Sequence, residues 1–214
     1  MVEIIPALLT RDEKEFRRKV EAVTDLCQTI QIDVMDDTFV PGHTFADPGR
    51  IDSKIMPPEY EIHLMVADPF AQLDAWSLAG CTRAIIHAET VPDAKEALKQ
   101  VRLYGMEPGL AINPDTPLDQ NILDAMPEAA VVQIMGVTPG DMGRPFQRVA
   151  LEKVRELRRL FPELIIAVDG GVAVGTAREL AEAGADRLVV GSAIFNNGAP
   201  AKAIGAIALD ANPE

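Results

Sequence analysis

The chain has 214 residues, of which 48% are hydrophobic and 25% charged, and its formal net charge is −13. This length and ordinary globular composition lead us to expect one domain over residues 1–214. The acidic balance and the lack of clustered Lys or Arg argue against a nucleic-acid or membrane partner, because both need a basic surface.

Short apolar runs alternate with amphipathic, charge-flanked stretches, which is the pattern of repeated strand–helix units and a parallel sheet. Strands are predicted over residues 3–8, 29–34, 61–66, 83–88, 108–112, 130–137, 164–168 and 187–191. Helices are predicted over residues 12–25, 68–78, 92–103, 118–125, 146–161 and 173–183, and from residue 199 onward. Residues 45–57 contain prolines and a glycine, so we expect mostly loop there.

Both ends of the sequence contribute to this alternation, and no linker or low-complexity tract divides it. We therefore predict an α/β fold, a single (β/α)₈ TIM barrel. An open doubly wound sheet is the alternative, because the number of strands alone does not prove closure.

The cysteines and the N-terminus bear on the compartment. Cys27 and Cys81 lie far apart and outside any metal-binding spacing, which favours reduced thiols over a disulfide. The first residues, MVEIIPALLTRDEKEF, lack a basic leader and a cleavage pattern, and no long uncharged apolar run follows. A cytoplasmic location is expected.

Polar residues that end apolar strands are the candidates for chemistry, because a barrel assembles its active site there. Asp33 interrupts the second strand and Asp169 follows LIIAV directly. A carboxylate so placed is costly to bury unless it is paired, hydrogen-bonded or bound to a metal. His63 lies inside IHLMV, and His87 follows RAII as a possible wall group. The alternatives are helix-capping aspartates and ordinary core histidines.

Glycines form the second signal, because AVDGGV and VVGSAIF each place glycine between a strand and a helix. Backbone N–H groups in such turns can bind a phosphate without basic side chains, which suits an acidic protein. A third loop, VTPGDMGRPF, is a candidate lid, with a plain flexible turn as the alternative. The predicted ligand-binding residues in these segments are Gly170, Gly171, Gly191, Ser192, Gly140 and Gly143.

These residues resemble the ribulose-phosphate 3-epimerase family over nearly the whole chain. The resemblance rests on IDVMDDTFVPG, HLMVADP, HAET, INPDTP, MGVTPGDMGRPF, VDGGV and VVGSAIF, in that order. It implies a barrel of the ribulose-phosphate-binding type that inverts C3 of a ketopentose 5-phosphate, converting D-ribulose 5-phosphate to D-xylulose 5-phosphate in the pentose phosphate pathway. Asp33 and Asp169 match the family's acid and base on opposite faces of that carbon. A homo-oligomer is also implied.

The resemblance also implies a lining for the reacting centre. Met35, Met65 and Met135 match three methionines that line it, and His63 matches a histidine of the site. No organic cofactor is implied.

Family members hold a divalent metal with two aspartates and two histidines, and here the set is altered. Gln31 replaces one histidine, and Ala7 replaces a serine of the first strand. Asp33, His63 and Asp169 could still bind Zn, Mn, Fe or Mg, with the Gln31 carbonyl oxygen as a weak fourth ligand. Loss of an imidazole should weaken zinc most, and a metal-free site stays open.

Two other functions remain open for the same small phosphorylated sugar. One is a related phosphate-binding barrel with altered chemistry, such as another sugar-phosphate epimerase or a lyase. The Asp-x-Lys-x-x-Asp pattern of the sugar-phosphate decarboxylases is absent, since the corresponding stretch reads DVMDDT. The other is a sugar-phosphate binder that lost turnover through Gln31 and Ala7.

Overall fold

The computed structural model describes residues 1–50, 59–140, 145–196 and 198–213. Its strands are β1 (Glu3–Leu8), β2 (Thr29–Met35), β3 (Glu59–Met65), β4 (Arg83–His87), β5 (Glu107–Ile112), β6 (Val131–Met135), β7 (Ile166–Asp169) and β8 (Arg187–Val190). Each strand pairs in parallel with the next, and β8 pairs with β1, so the sheet closes. The predicted barrel is confirmed and the open sheet is excluded. That residues 1–214 form one domain stays a prediction.

Helices follow the strands around the outside of the barrel. They are α1 (Glu13–Val23), α2 (Phe70–Leu78), α3 (Ala94–Leu103), α4 (Gln120–Ala125), α5 (Val149–Leu160), α6 (Thr176–Ala183), α7 (Ser192–Phe195) and α8 (Pro200–Ala211), with short 3₁₀ helices at Pro48–Arg50, Ala88–Thr90 and Met126–Glu128. Asp12, Asp93 and Asp119 precede α1, α3 and α4, and each side chain accepts a hydrogen bond from the first turn. These aspartates are N-caps, which is why these three helices begin after the predicted first residue.

The predicted loop at residues 45–57 is described only as far as Arg50. There it contains the single 3₁₀ turn Pro48–Arg50, as its proline and glycine predict. Residues 51–58 lie outside the described part of the chain.

Two expectations about the compartment can be compared with the structure. Cys27 and Cys81 are both free, as predicted. In the described ranges, every helix is too short or too polar to cross a lipid bilayer.

The barrel interior is filled with side chains. Strand residues alternate between the interior and the helix-covered outer face, so both faces are apolar. One buried cluster gathers interior-facing residues of the strands: Ile5, Ala7, Ile85, Ala111, Val131, Met135, Ala167 and Val189. Because the barrel is a packed core and not a pore, a ligand has to bind at one of its ends.

An ion-pair network occupies the end of the barrel where the strands begin. Glu61 is fully buried, and its Oε2 accepts hydrogen bonds from Arg83 Nη1 at 2.6 Å and Arg187 Nη1 at 2.9 Å. Arg187 Nε also donates to Glu3 Oε2 at 3.0 Å. This network pairs the buried Glu61 with two arginines, although Glu61 Oε1 and Arg83 Nε have no hydrogen-bond partner among the described residues.

Candidate active site

Two aspartates and a histidine meet at the carboxyl ends of the strands. Asp33 of β2 is level with His63 of β3 in the parallel ladder, and Asp169 is the last residue of β7. His63 Nδ1 lies 3.3 Å from Asp33 Oδ1 and 3.2 Å from Asp169 Oδ2. All three are buried, and one donor atom from each lies within 4.8 Å of the others. The structure thus brings together the three candidates from the strand ends.

The side chain of Gln31 lies between the two carboxylates. Its Nε2 donates to Asp33 Oδ1 and to Asp169 Oδ2, both at 2.9 Å. Both protons of the amide are thereby used. Gln31 Oε1 is buried and has no hydrogen-bond partner among the described residues. An unpaired buried acceptor costs about 1–3 kcal/mol, which the two charge-assisted bonds offset.

The spacing of these donor atoms fits a small divalent ion. Ligands about 2.0–2.2 Å from a four-coordinate ion lie about 3.4 Å apart. Here His63 Nδ1 is 3.3 Å from Asp33 Oδ1 and 3.2 Å from Asp169 Oδ2. Gln31 would contribute only by turning Oε1 inward, because its NH₂ group is a donor. The buried Asp-His-Asp group could therefore hold a metal ion.

The two aspartates and His63 shift each other's proton affinity. Burial disfavours a charge on His63, but hydrogen bonds and charges of Asp169 and Asp33 outweigh burial and raise the His63 pKa to about 9. Burial raises the pKa of Asp169; the hydrogen bond from His63 opposes this rise, and the charge of Asp33 adds to it. A carboxyl with a raised pKa can hold and release a proton nearer neutral pH, as general acid–base chemistry requires.

His87 and Glu89 lie behind His63. His63 Nε2 is 2.9 Å from His87 Nε2, and His87 Nδ1 is 3.1 Å from Glu89 Oε2. Burial and the charge of His63 lower the pKa of His87 to about 4, although Glu89 opposes this. His87 is thus a neutral group in contact with the site. Glu89 was not predicted as a site residue from the sequence. The feature that could have identified it is its position two residues after a histidine that ends a strand.

Gln133 is a second residue that sequence reasoning missed. Its Nε2 donates to Asp169 Oδ2 at 2.9 Å and lies 3.9 Å from Met135 Sδ. Asp169 Oδ2 therefore accepts from both Gln31 and Gln133. A buried amide inside the apolar strand VVQIM, two residues before Met135, was the available signal.

A cavity at the mouth of the barrel collects most of the predicted ligand-binding residues. Its wall contains Ala7, Leu9, Asp33, His63, Met65, Met135, Val137, Pro139, Gly140, Asp169, Gly170, Gly171, Val172, Val189, Gly191 and Ser192. Met35 is not part of this wall; it belongs to a small apolar cluster with Val40 and Met65. Gly143 lies outside the described residues.

The Gly170–Gly171 turn after β7 has a steric requirement. Both glycines have positive φ, 98° and 70°. A Cβ at Gly170 would lie 2.6 Å from Val137 Cγ2, and one at Gly171 would lie 2.8 Å from Phe146 Cβ. Glycine therefore allows the backbone after β7 to pack against the loop after β6 at the edge of the cavity.

Comparison with known proteins identifies the family that the sequence motifs resemble. The family described as the Ribulose-phosphate 3 epimerase family matches residues 3–195. Ribulose-phosphate 3-epimerase of Rhodobacter capsulatus is 35% identical over 203 residues, covering 92% of this chain and 87% of that protein. The cytoplasmic isoform of the same enzyme from Oryza sativa is 31% identical over 210 residues, covering 96% and 92%.

The fold is shared more widely. The solved structure of 3-hexulose-6-phosphate synthase from Salmonella typhimurium superimposes with a TM-score of 0.76 at 17% identity, covering 98% of both chains. At that identity the likeness shows the barrel alone. The family match and the similar sequences carry the assignment, and the chain belongs to the ribulose-phosphate 3-epimerase family.

Proposed function

We propose that this chain inverts C3 of D-ribulose 5-phosphate to give D-xylulose 5-phosphate, with Asp33 and Asp169 exchanging protons at opposite faces of that carbon. The observation that carries the proposal is that these buried carboxylates converge on one cavity from β2 and β7. Membership of the family supports the substrate, because the similar proteins are named for ribulose phosphate.

The reaction needs two acid–base groups. Removal of the C3 proton beside the C2 carbonyl leaves an enediolate, and inversion requires a proton to return from the other face. One aspartate takes the proton as carboxylate while the other donates as carboxylic acid. In the reverse direction the two exchange roles, so each must hold a proton in turn. Without a bound metal, hydrogen bonds from Gln31 Nε2 keep both carboxylates oriented through this cycle.

The enediolate also needs its negative charge stabilised. His63 contributes positive charge next to both carboxylates, consistent with its raised pKa. In the alternative state with a bound metal, a divalent ion held by Asp33, Asp169 and a neutral His63, with Gln31 turned so that Oε1 is a fourth ligand, would supply Lewis-acid stabilisation of the same charge. Three oxygen ligands and one nitrogen favour Mn, Mg or Fe over Zn.

The phosphate is proposed to bind at the glycine side of the cavity. Gly170 and Gly171 follow β7, and Gly191 and Ser192 follow β8 where α7 begins. Backbone N–H groups there can bind a dianion in a protein whose net charge is −13. Gly140 borders the same cavity from the loop after β6 and would close over the bound sugar.

Two broader properties are proposed with the activity. A cytoplasmic location is supported by the Oryza sativa relative, which is named a cytoplasmic isoform. A homo-oligomer is implied by the resemblance, and size-exclusion chromatography with light scattering would measure it.

Incubation with D-ribulose 5-phosphate in deuterated water tests the activity. We expect ¹H NMR to show D-xylulose 5-phosphate forming with deuterium at C3, with the protein tested as isolated and with Mn, Mg, Fe or Zn. Asp93→Asn provides a matched control, because this aspartate caps α3 outside the cavity and asparagine can also cap. Phosphate binding without exchange under every metal condition would favour the binder that lost turnover.

A further inference from the structure

A chain of hydrogen-bonded side chains leads from the carboxylate pair into the protein. It runs from His63 through His87 to Glu89, with contacts of 2.9 Å between the Nε2 atoms and 3.1 Å from His87 Nδ1 to Glu89 Oε2. The two imidazole planes differ by 22°, and their centroids are 5.0 Å apart. That separation is close to the longest that a 2.9 Å nitrogen–nitrogen contact allows, so the rings meet edge to edge. The contact therefore has the geometry of a hydrogen bond.

This hydrogen-bonded series of side chains ends at Glu89, which is itself fixed by the backbone. Glu89 Oε1 accepts a hydrogen bond from the backbone N–H of Asn113 at 2.8 Å. Both histidine side chains are fully buried. The ring of Phe39 packs on His87 with centroids 4.9 Å apart. Neither imidazole is free to rotate to another partner.

The direction of each hydrogen bond follows from Glu89. A carboxylate only accepts, so His87 Nδ1 must carry a proton. The two Nε2 atoms lie 2.9 Å apart, so one must donate and the other accept. His63 faces two carboxylates and His87 faces one, so the additional proton belongs to His63, and His63 Nε2 donates to the lone pair on His87 Nε2. His63 Nδ1 is consequently the nitrogen left to serve Asp33 and Asp169, whether it donates a proton to them or joins them around an ion.

We propose that His87 and Glu89 are positioning residues that keep a proton on His63 Nε2 and aim His63 Nδ1 at the carboxylate pair. The kinetic part of this inference rests on the proposed epimerase function. The structural part stands on the hydrogen bonds alone. Groups of this kind typically change metal affinity or activity by about 10–100-fold when removed.

Ring ¹⁵N NMR of histidine-labelled protein tests the proton on His63 Nε2 directly. In the wild type we expect the His63 Nε2 and His87 Nδ1 signals to be those of protonated nitrogens, and the His87 Nε2 signal to be that of an unprotonated one. His87→Leu removes the acceptor, so the His63 Nε2 proton should lose its protection from solvent exchange. Glu89→Gln should give a mixture of tautomers at His87. Wild-type protection of the His63 Nε2 proton in folded His87→Leu, together with a single wild-type His87 tautomer in folded Glu89→Gln, would overturn the proposal.

Metal binding and kinetics add readouts that a purely structural role would not move. His87→Leu should weaken Zn²⁺ binding, measured by competition with a chelator, about 10–100-fold. The same variant should lower kcat about 10-fold or more, with KM for ribulose 5-phosphate within about twofold. His87→Gln, which keeps an acceptor facing His63, should recover most of the loss. A raised KM at unchanged kcat would show a substrate-binding role and overturn the proposal.

Glu107→Gln is the matched control. Glu107 also pairs with a cation, Arg83, but at the opposite end of the barrel, and its side chain is 57% exposed. Its variant should match wild type in every readout. If the wild type itself shows no C3 exchange, the epimerase function fails, and the NMR result still decides whether Glu89 and His87 keep the proton on His63 Nε2.

Discussion

Gln31 Nε2 donates a hydrogen bond to Asp169 Oδ2 at 2.9 Å, joining β2 to β7 across the mouth of the barrel. The same nitrogen also bonds Asp33. In the family this position carries a metal-binding histidine, according to the resemblance of the motif. Here an amide cross-links the two carboxylates, so the pair is held in place by the chain itself.

Replacement of Gln31 by histidine should restore a nitrogen ligand and favour zinc. We expect Gln31→His to bind Zn²⁺ at least about 10-fold more tightly than wild type, since an imidazole ligates zinc better than an amide oxygen. Chelator competition measures the change. Gln120→His, on the exposed surface of α4, is the control. Equal zinc affinity in wild type and Gln31→His would show that position 31 does not contribute to metal binding.

Gly171→Ala should destabilise the protein and weaken substrate binding. The new Cβ would clash with Phe146 at 2.8 Å and hold a residue at φ 70°. Gly175→Ala is a close match, because Gly175 has φ 98° and nothing within 4 Å of its Cβ position. We expect about 1–3 kcal/mol of lost unfolding free energy for Gly175→Ala from strain at φ 98°, ψ −55°, and more for Gly171→Ala, which adds the clash with Phe146.

Urea unfolding measures both losses, and KM for ribulose 5-phosphate measures the effect on the site. KM should rise for Gly171→Ala and stay unchanged for Gly175→Ala. Similar losses of stability and an unchanged KM in both variants would show that the close packing after β7 does not shape the cavity.

Both cysteines should be unreactive in the folded protein. Burial is the main cause that raises the pKa of the Cys27 and Cys81 thiols to about 12. The thiolate is the nucleophile, so at pH 8 Ellman's reagent should react with neither thiol until urea is added. The unfolded thiols ionise near their ordinary pKa of 9.0. The stability that the protein gains by burying neutral thiols is therefore present below pH 9, and it declines above pH 9 as the unfolded thiols ionise. Rapid labelling of the native protein at pH 8 would contradict the burial.

The strands were predictable because burial on both faces leaves continuous apolar runs. One error in bounds is at β7, predicted over residues 164–168 and observed as Ile166–Asp169. Ile165 is apolar but 42% exposed, so the apolar run begins before the strand does. Closure was predicted from the eight strand–helix units, but the number of strands could not prove it, because closure depends on β8 pairing with β1.

The positions of Asp33, His63 and Asp169 were predictable because residues at the carboxyl ends of parallel strands meet. Gln133 and Glu89 were not, since their contacts depend on strand register and on a turn that one sequence does not determine. The contacts of Met35 were also not predictable from the sequence. It is level with Met65 in the ladder, but it packs with Val40 from the following loop and is not part of the cavity wall.

The central claim is that Asp33 and Asp169 act on opposite faces of C3. The most direct measurement follows deuterium incorporation at C3 separately from inversion, using Asp33→Asn and Asp169→Asn with each epimer in deuterated water. We predict that each variant loses inversion by about 10²–10⁴-fold. Any residual exchange in one variant should be confined to one epimer, and in the other variant to the opposite epimer. Inversion at wild-type rate in either folded variant would contradict the two-aspartate account.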